Sequence, residues 1–453
     1  MKGVIIALLI AAPLIGVGQK VELDRRLSEL TNEIKQYENN YKRLALQRGQ
    51  SYLEGDFTAQ KMKYAIREYC KNMFDEEIKE FKFIFYHYQN DSLSIWVFNS
   101  NGDIDEMIKK RLSSDSLITL ETTLKFRLNI EQKLSASRGD YMYEQNPTKY
   151  RLTSDQAIAQ LTNILLPDSI VVKLSNVKYL LILPCLNISS LPYGMLRPWK
   201  GNATLIDSMS YSFAHNLSEF FSSVENKRYD LVNPVIVGNP KFSDSCTFNL
   251  PNLPGAELEA REVAYQLETN PYIGEQALKS EIVTKMGSST FIYFATHGYS
   301  DQKNVMQESF IALYEPAGCG FLTPTEIQNL SLSKNAIVVL SACETGNGRI
   351  LDAGIIGLAR GFLKANAKAV IMSLWKVDDQ ETKKLMLYFI EELGKEQVFF
   401  PAENLRHAIL RYKQEISYEP IYWAAFQVFG TPMGFFENSI KKKQAQISKK
   451  RRR

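Results

Sequence analysis

The sequence predicts an α/β protein built on one mostly parallel sheet flanked by helices, with a helical lead-in at its N-terminal end. Three observations carry that reading. Beyond residue 175, short continuous apolar runs alternate with helical patterns, which is how strands covered on both faces read. A Pro or Gly closes almost every one of those runs. The composition is that of a globular protein: of 453 residues, 45% are hydrophobic, 23% charged and 11% aromatic, which excludes disorder, collagen-like repetition and a small disulfide scaffold.

Residues 1–18 come first. Positions 3–19 carry no charge, follow Lys2 and finish with Gly16 and Gly18, which resembles a signal peptide cleaved before Gln19. A membrane anchor is the rival, although Pro13 interrupts a segment already short of the roughly 20 residues a span needs. An exported or membrane-associated protein is therefore expected. Residues 19–77 read as a helical lead-in, with Leu23, Leu27, Leu30, Ile34, Tyr37 and Tyr41 at three- and four-residue spacing between charges. It shows no 34-residue repeat.

From residue 78 to 436 the chain reads as one domain. FKFIFYHYQ (81–89) and SLSIWVFNS (92–100) are β-rich and flank Asn90-Asp91, so a hairpin is expected. Helical patterns follow at 116–134 and 154–165. The strand runs are then 177–184, 233–240, 289–298, 334–346, 368–377 and 425–432, and helices are expected at 255–268, 351–365, 379–394 and 403–412. Residues 437–453 form a basic tail. Five Lys and three Arg lie between Lys441 and Arg453, so removing them turns a formal charge of +4 into about −4. The tail has no interleaved aromatic residue to stack on bases, so nucleic-acid binding is not expected. A solvated tail, or association with anionic lipid, fits it better.

In open α/β sheets ligands sit beyond the carboxyl ends of the strands. Two of the predicted tips carry reactive groups: His297 with Gly298 after FIYFAT, and Cys343 with Glu344 after AIVVLSA. On neighbouring parallel strands about 4.8 Å apart, the imidazole would take the thiol proton. The backbone N–H groups of Gly298 and Cys343 would then be donors for an oxyanion. The other candidates read as structural: Cys185 precedes Pro192 without a histidine, Cys319 sits in the turn PAGCG, Cys70 and Cys246 have no base nearby, and His87, His215 and His407 fall within strands or helices. An odd cysteine count at irregular spacing indicates no disulfide framework, and no Cys/His cluster has metal-ligand spacing. The Gly346-Asn347-Gly348 loop lacks the Lys and Ser/Thr of a P-loop.

ATHG (295–298) and LSACETG (340–346) resemble the histidine and cysteine blocks of the CHAT-domain family, caspase-like cysteine peptidases of clan CD type. LPYGML (191–196), VGNP (237–240), LPGAELEAREV (253–263), GLARGFLKANAKAVIMSLWKVDDQET (357–382) and IYWAAFQVFGTP (421–432) follow in the family's order, so the resemblance spans roughly residues 78–432. It implies a caspase-like fold, a Cys343–His297 dyad without an obligatory third acid and a protein substrate; no cofactor or metal is indicated, and a dyad latent until an activating protein partner binds is a further expectation. The chain departs from the family where a Gly-Glu-Gly-like stretch is usual and Asp352-Ala353-Gly354 stands instead. Asp352 is the candidate pocket acid for a basic substrate residue; Glu344, Asp378 and Asp379 are left unassigned, Asp379 fitting a helix start better. The alternative is a non-catalytic interaction scaffold on the same fold.

Overall fold

A computed structural model describes residues 17–46, 55, 57–74, 80–128, 152–214, 216–217, 220, 228–229, 231–242, 245–246, 248–301, 304–341, 349–351, 354–375, 377–393, 398–430 and 434–436. The strands of its main sheet are β1 (Phe81–Gln89), β2 (Ser92–Phe98), β3 (Ile104–Arg111), β4 (Tyr179–Leu183), β5 (Ser210–Phe213), β6 (Val235–Pro240), β7 (Tyr272–Gly274), β8 (Phe291–Ala295), β9 (Ile337–Leu340), β10 (Ala369–Ser373) and β11 (Phe426–Gly430). They lie in the order β3-β2-β1-β4-β5-β11-β10-β9-β8-β6-β7. β1, β4, β5 and β11 are mutually parallel, as are β10, β9, β8, β6 and β7. The two blocks meet where β10 and β11 pair antiparallel. The sheet is thus mostly parallel and covered by helices, as the alternating apolar runs predict.

All six predicted runs are strands of this sheet, and the 81–100 hairpin joins it through β1 and β4. Asn90 and Asp91 turn that hairpin with positive φ (49° and 52°), the left-handed region that suits a two-residue turn. Three strands have no counterpart in the reading of the sequence: β3, β5 and β7, the last only YIG. β3 is an edge strand, IDEMIKKR, whose charges blunt an open edge and hide it from a hydrophobicity pattern. β5 is only SYSF.

The main helices are α1 (Val17–Leu46), α2 (Ala59–Phe74), α3 (Ser114–Arg127), α4 (Ser154–Leu165), α5 (Pro254–Gln266), α6 (Leu358–Lys364), α7 (Asp379–Leu393) and α8 (Pro401–Glu415). The helix expected over 351–365 starts only at Leu358. Before it, Arg349–Leu351 pairs antiparallel with Gly354–Ile356, where β-branched Ile350, Ile355 and Ile356 favour extended backbone.

The lead-in helix lies on the sheet. Leu30, Ile34, Tyr37 and Tyr41 of α1 are buried, and Tyr37 packs edge-on against Phe85 with ring centroids 5.4 Å apart. Its buried Glu33 accepts from Ser94 Oγ, Trp96 Nε1 and Lys109 Nζ at 2.8, 2.8 and 3.2 Å, so burying this acid leaves its oxygens satisfied. Among the described residues no helix is long and apolar enough to cross a membrane. Residues 1–16 and the basic tail lie outside them.

The cysteines need one correction. Cys246 and Cys319, read from the sequence as structural residues without a disulfide framework, are bonded to each other with Cα atoms 4.7 Å apart. They are 73 residues apart in sequence, and only the packing of two loops brings them together. Cys70 and Cys185 are buried and outside any disulfide, and burial pushes the Cys70 thiol well up.

Candidate active site

β8 and β9 are parallel neighbours, with Phe291 to Phe294 facing Ile337 to Leu340 in register. Phe294 and Leu340 are the last paired residues, and His297 and Cys343 each stand three positions beyond them. Cys343 and Asp352 lie outside the described residues, as does Glu344.

His297 sits where the chain leaves the main sheet. Beyond it Gly298–Tyr299 pairs antiparallel with Phe310–Leu313, which pairs in turn with Gly320–Leu322. Thr296 Oγ1 donates to the Ala312 carbonyl at 2.8 Å and Ala312 N–H donates to the His297 carbonyl at 2.9 Å. That second bond fixes a peptide plane. Because the peptide is trans, the Gly298 N–H points opposite to the His297 carbonyl and hence away from the small sheet.

The half-buried imidazole is held by the segment that precedes α5. Its Nε2 lies 2.7 Å from the Pro251 carbonyl, which can only accept, so Nε2 carries the hydrogen and Nδ1 is the basic atom. Phe242 tilts against the ring at 5.1 Å between centroids. Both contacts come from the segment between β6 and α5. Phe248 of the same segment packs against Tyr299, Phe310 and Phe321 at 6.0, 5.2 and 5.1 Å, Ser245 Oγ accepts from Gly318 N–H at 2.8 Å, and the Cys246–Cys319 bond ties it to the turn beyond Phe310–Leu313.

The tip of β6 anchors the other end. Asn239 adopts a positive φ of 43°, its side-chain oxygen accepts from Leu253 N–H at 2.8 Å and its amide reaches Asn252 Oδ1 at 2.8 Å. One residue earlier, a Cβ on Gly238 would stand 2.3 Å from Ala260 Cβ, so only glycine lets α5 approach this closely. α5 also brings Glu259 under the sheet. This carboxyl is 3% exposed, accepts from Tyr293 Oη at 2.5 Å, and is pushed up to about 7 chiefly by burial.

The sign of that shift makes a prediction. The unfolded carboxyl ionises near 4.5 while the folded one holds its proton to about 7, so stability falls between these values as pH rises. Glu259→Gln, which cannot ionise, is expected to gain on the wild type by up to about 3 kcal/mol between pH 5 and pH 8, read from urea midpoints. Equal differences at the two pH values would contradict it.

His215 lies outside the described residues, and local bonds engage Asp378, His87 and His407. Asp378 Oδ1 accepts from Gln380 N–H at 3.0 Å and so caps α7, and Asp379 opens that helix. His407 Nε2 meets Glu403 at 3.1 Å, its pKa raised by that acid, and His87 Nε2 meets Gln36 at 3.2 Å. Among the described residues no group of acids, His or Cys could hold a metal.

A family model for the CHAT domain matches residues 155–431. The chain belongs to the CHAT-domain family. Its sheet is mostly parallel and flanked by helices, with an N-terminal helix lying on it. Curated relatives include tetratricopeptide repeat protein 28 of Mus musculus, 24% identical over 233 residues, covering 43% of this chain and 9% of that protein. The Homo sapiens protein of that name is 22% identical over 286 residues, covering 53% and 11%. This chain therefore spans about a tenth of the length of these relatives. Among solved structures, the Saccharomyces cerevisiae separase–securin complex gives a TM-score of 0.49 at 10% identity, covering 83% of this chain and 31% of that one. The complex of Porphyromonas gingivalis RgpB pro- and mature domains gives 0.41 at 11%, covering 70% and 77%.

Within this CHAT domain, VGNP is the tip of β6 and LPGAELEAREV is the start of α5, so the two segments meet at Asn239 and Leu253. Three contributors escape a reading by residue type. Pro251 acts through its backbone carbonyl, which leaves no mark in the sequence. Asn239 acts through a left-handed turn. Glu259 had a usable signal, since it falls on the stripe of Ala256, Ala260 and Val263 that α5 buries, where an acid is unexpected.

Proposed function

We propose that this CHAT domain is a cysteine endopeptidase that cleaves a protein substrate through a Cys343–His297 dyad, held latent until a protein partner engages it. The reading rests on one observation: parallel, in-register β8 and β9 carry His297 and Cys343 an equal number of residues past their last pair. The Pro251 carbonyl supports it by leaving Nδ1 of His297 as the base.

In this reading Nδ1 takes the Cys343 thiol proton as sulfur attacks the scissile carbonyl carbon. The oxyanion is met by the N–H groups of Gly298 and Cys343, the first turned away from the small sheet by the bond between Ala312 and His297. His297 then returns the proton to the leaving amine, and water activated by the same nitrogen releases the acyl group from sulfur. Asp352 is the proposed acid for a basic side chain before the cleaved bond. The chemistry needs no cofactor.

The test is covalent labelling with a peptidyl acyloxymethyl ketone, with basic and with apolar residues before the warhead. An adduct mapped to Cys343 by mass spectrometry, and preferred for the basic probe, is expected. No adduct on Cys343 with any probe, with and without proteins captured from the native cell, would overturn the reading and leave the scaffold.

A further inference from the structure

Beneath the tip of β8 one buried side chain ties that strand to α5. Glu259 belongs to α5, while its hydrogen-bond donor, Tyr293, belongs to β8 four residues before His297. Ser341, two residues before Cys343, lies against the same carboxyl, its hydroxyl buried and without a hydrogen bond of good geometry. From α7, Lys383 and Asp379 face the group with opposite effects on its charge, and Lys383 is itself held by Glu262 at 3.1 Å. A polar group this deep is costly to leave unpaired, and removing one partner strands the other. Packing alone would be served by an apolar residue, as at Ala256, Ala260 and Val263 on the same face. The same helix grows out of the segment whose Pro251 carbonyl holds His297. α5 thus holds the histidine strand at two points.

We propose that Glu259 is a positioning residue for the dyad: its carboxyl accepts from Tyr293 on β8 and, together with the Pro251 carbonyl on His297, ties α5 to the strand that carries the base. This rests on the dyad reading above. The amide oxygen of Gln can accept the same bond from Tyr293; Ala cannot.

The experiment measures the second-order rate of Cys343 alkylation by iodoacetamide in the full chain at pH 7, site-resolved by mass spectrometry, with kcat and KM followed wherever turnover is found. His297→Ala sets the rate without a base. Glu259→Ala is expected to slow alkylation about tenfold or more and to lower kcat with KM within about threefold. Glu259→Gln is expected to restore both to within about threefold. Tyr293→Phe, which removes one hydroxyl and nothing else, keeps the test alive if Glu259→Ala does not fold, and is expected to slow alkylation about threefold. If His297→Ala slows alkylation while Glu259→Ala, or failing that Tyr293→Phe, matches the wild type, the brace alone is overturned. A Gln variant as slow as the Ala variant also overturns it. If His297→Ala itself has no effect, the dyad reading fails and the brace falls with it.

Discussion

Cys343→Ala is expected to abolish peptide cleavage and His297→Ala to lower kcat/KM by about 10²- to 10⁴-fold, the usual contribution of a positioned general base. The two losses differ in kind. Without Cys343 there is no sulfur to carry the acyl group. Without His297 the thiol remains, and the fraction ionised at neutral pH still reacts slowly. Because the two act as one unit, the double variant should be no worse than Cys343→Ala alone. His407→Ala is the control, since its ring is already engaged by Glu403 and Glu392 on the α7–α8 side of the molecule, and it should leave kcat/KM unchanged. Progress curves on a peptide library, repeated in the presence of candidate partners, supply the measurement. Full turnover by purified Cys343→Ala protein would remove Cys343 from the chemistry.

How much of this was legible in the sequence depends on which physical signal each residue leaves. Strands buried on both faces leave long apolar runs, so β4, β6, β8, β9, β10 and β11 were all readable, and with them the position of the two tips. Strands that face water or run short leave no such trace, which is why β3, β5 and β7 were missed. His297 stood out because a lone imidazole after five buried residues is unusual in both type and place. The segment that orients it did not stand out. Pro251, Phe242 and Phe248 act through a carbonyl, a ring edge and an aromatic cluster, all of which depend on a loop path that spacing does not encode. The helix expected from residue 351 failed for a local reason, as three isoleucines in the antiparallel pair before Leu358 preferred extended backbone.

The disulfide is the point where the sequence misled most, and its removal has the second large expected effect. Replacing Cys246 and Cys319 together by serine frees a 73-residue loop in the unfolded chain, which by loop-closure entropy costs about 4 kcal/mol of stability. Urea midpoints of the double variant and the wild type, measured without reductant, check the figure; equal midpoints would mean that the bond does not form in the protein. The same substitution should also be felt at His297. Cys246 lies between Phe242 and Pro251, which flank the imidazole, and the bond to Cys319 closes that segment onto the small sheet that begins at Gly298. With the tie cut, Phe248 and the Ser245–Gly318 bond still hold the segment, so a partial loss of kcat is expected and not the loss seen for His297→Ala. Structural disulfides persist where the surroundings are oxidising. The export expected from residues 1–18 predicts that this bond forms in the cell, and alkylating cell-derived protein before any reduction tests that. Protection of Cys246 and Cys319 supports export, while two free thiols would place the chain in a reducing compartment and leave the segment over His297 held by the packing of Phe248 and the Ser245–Gly318 bond.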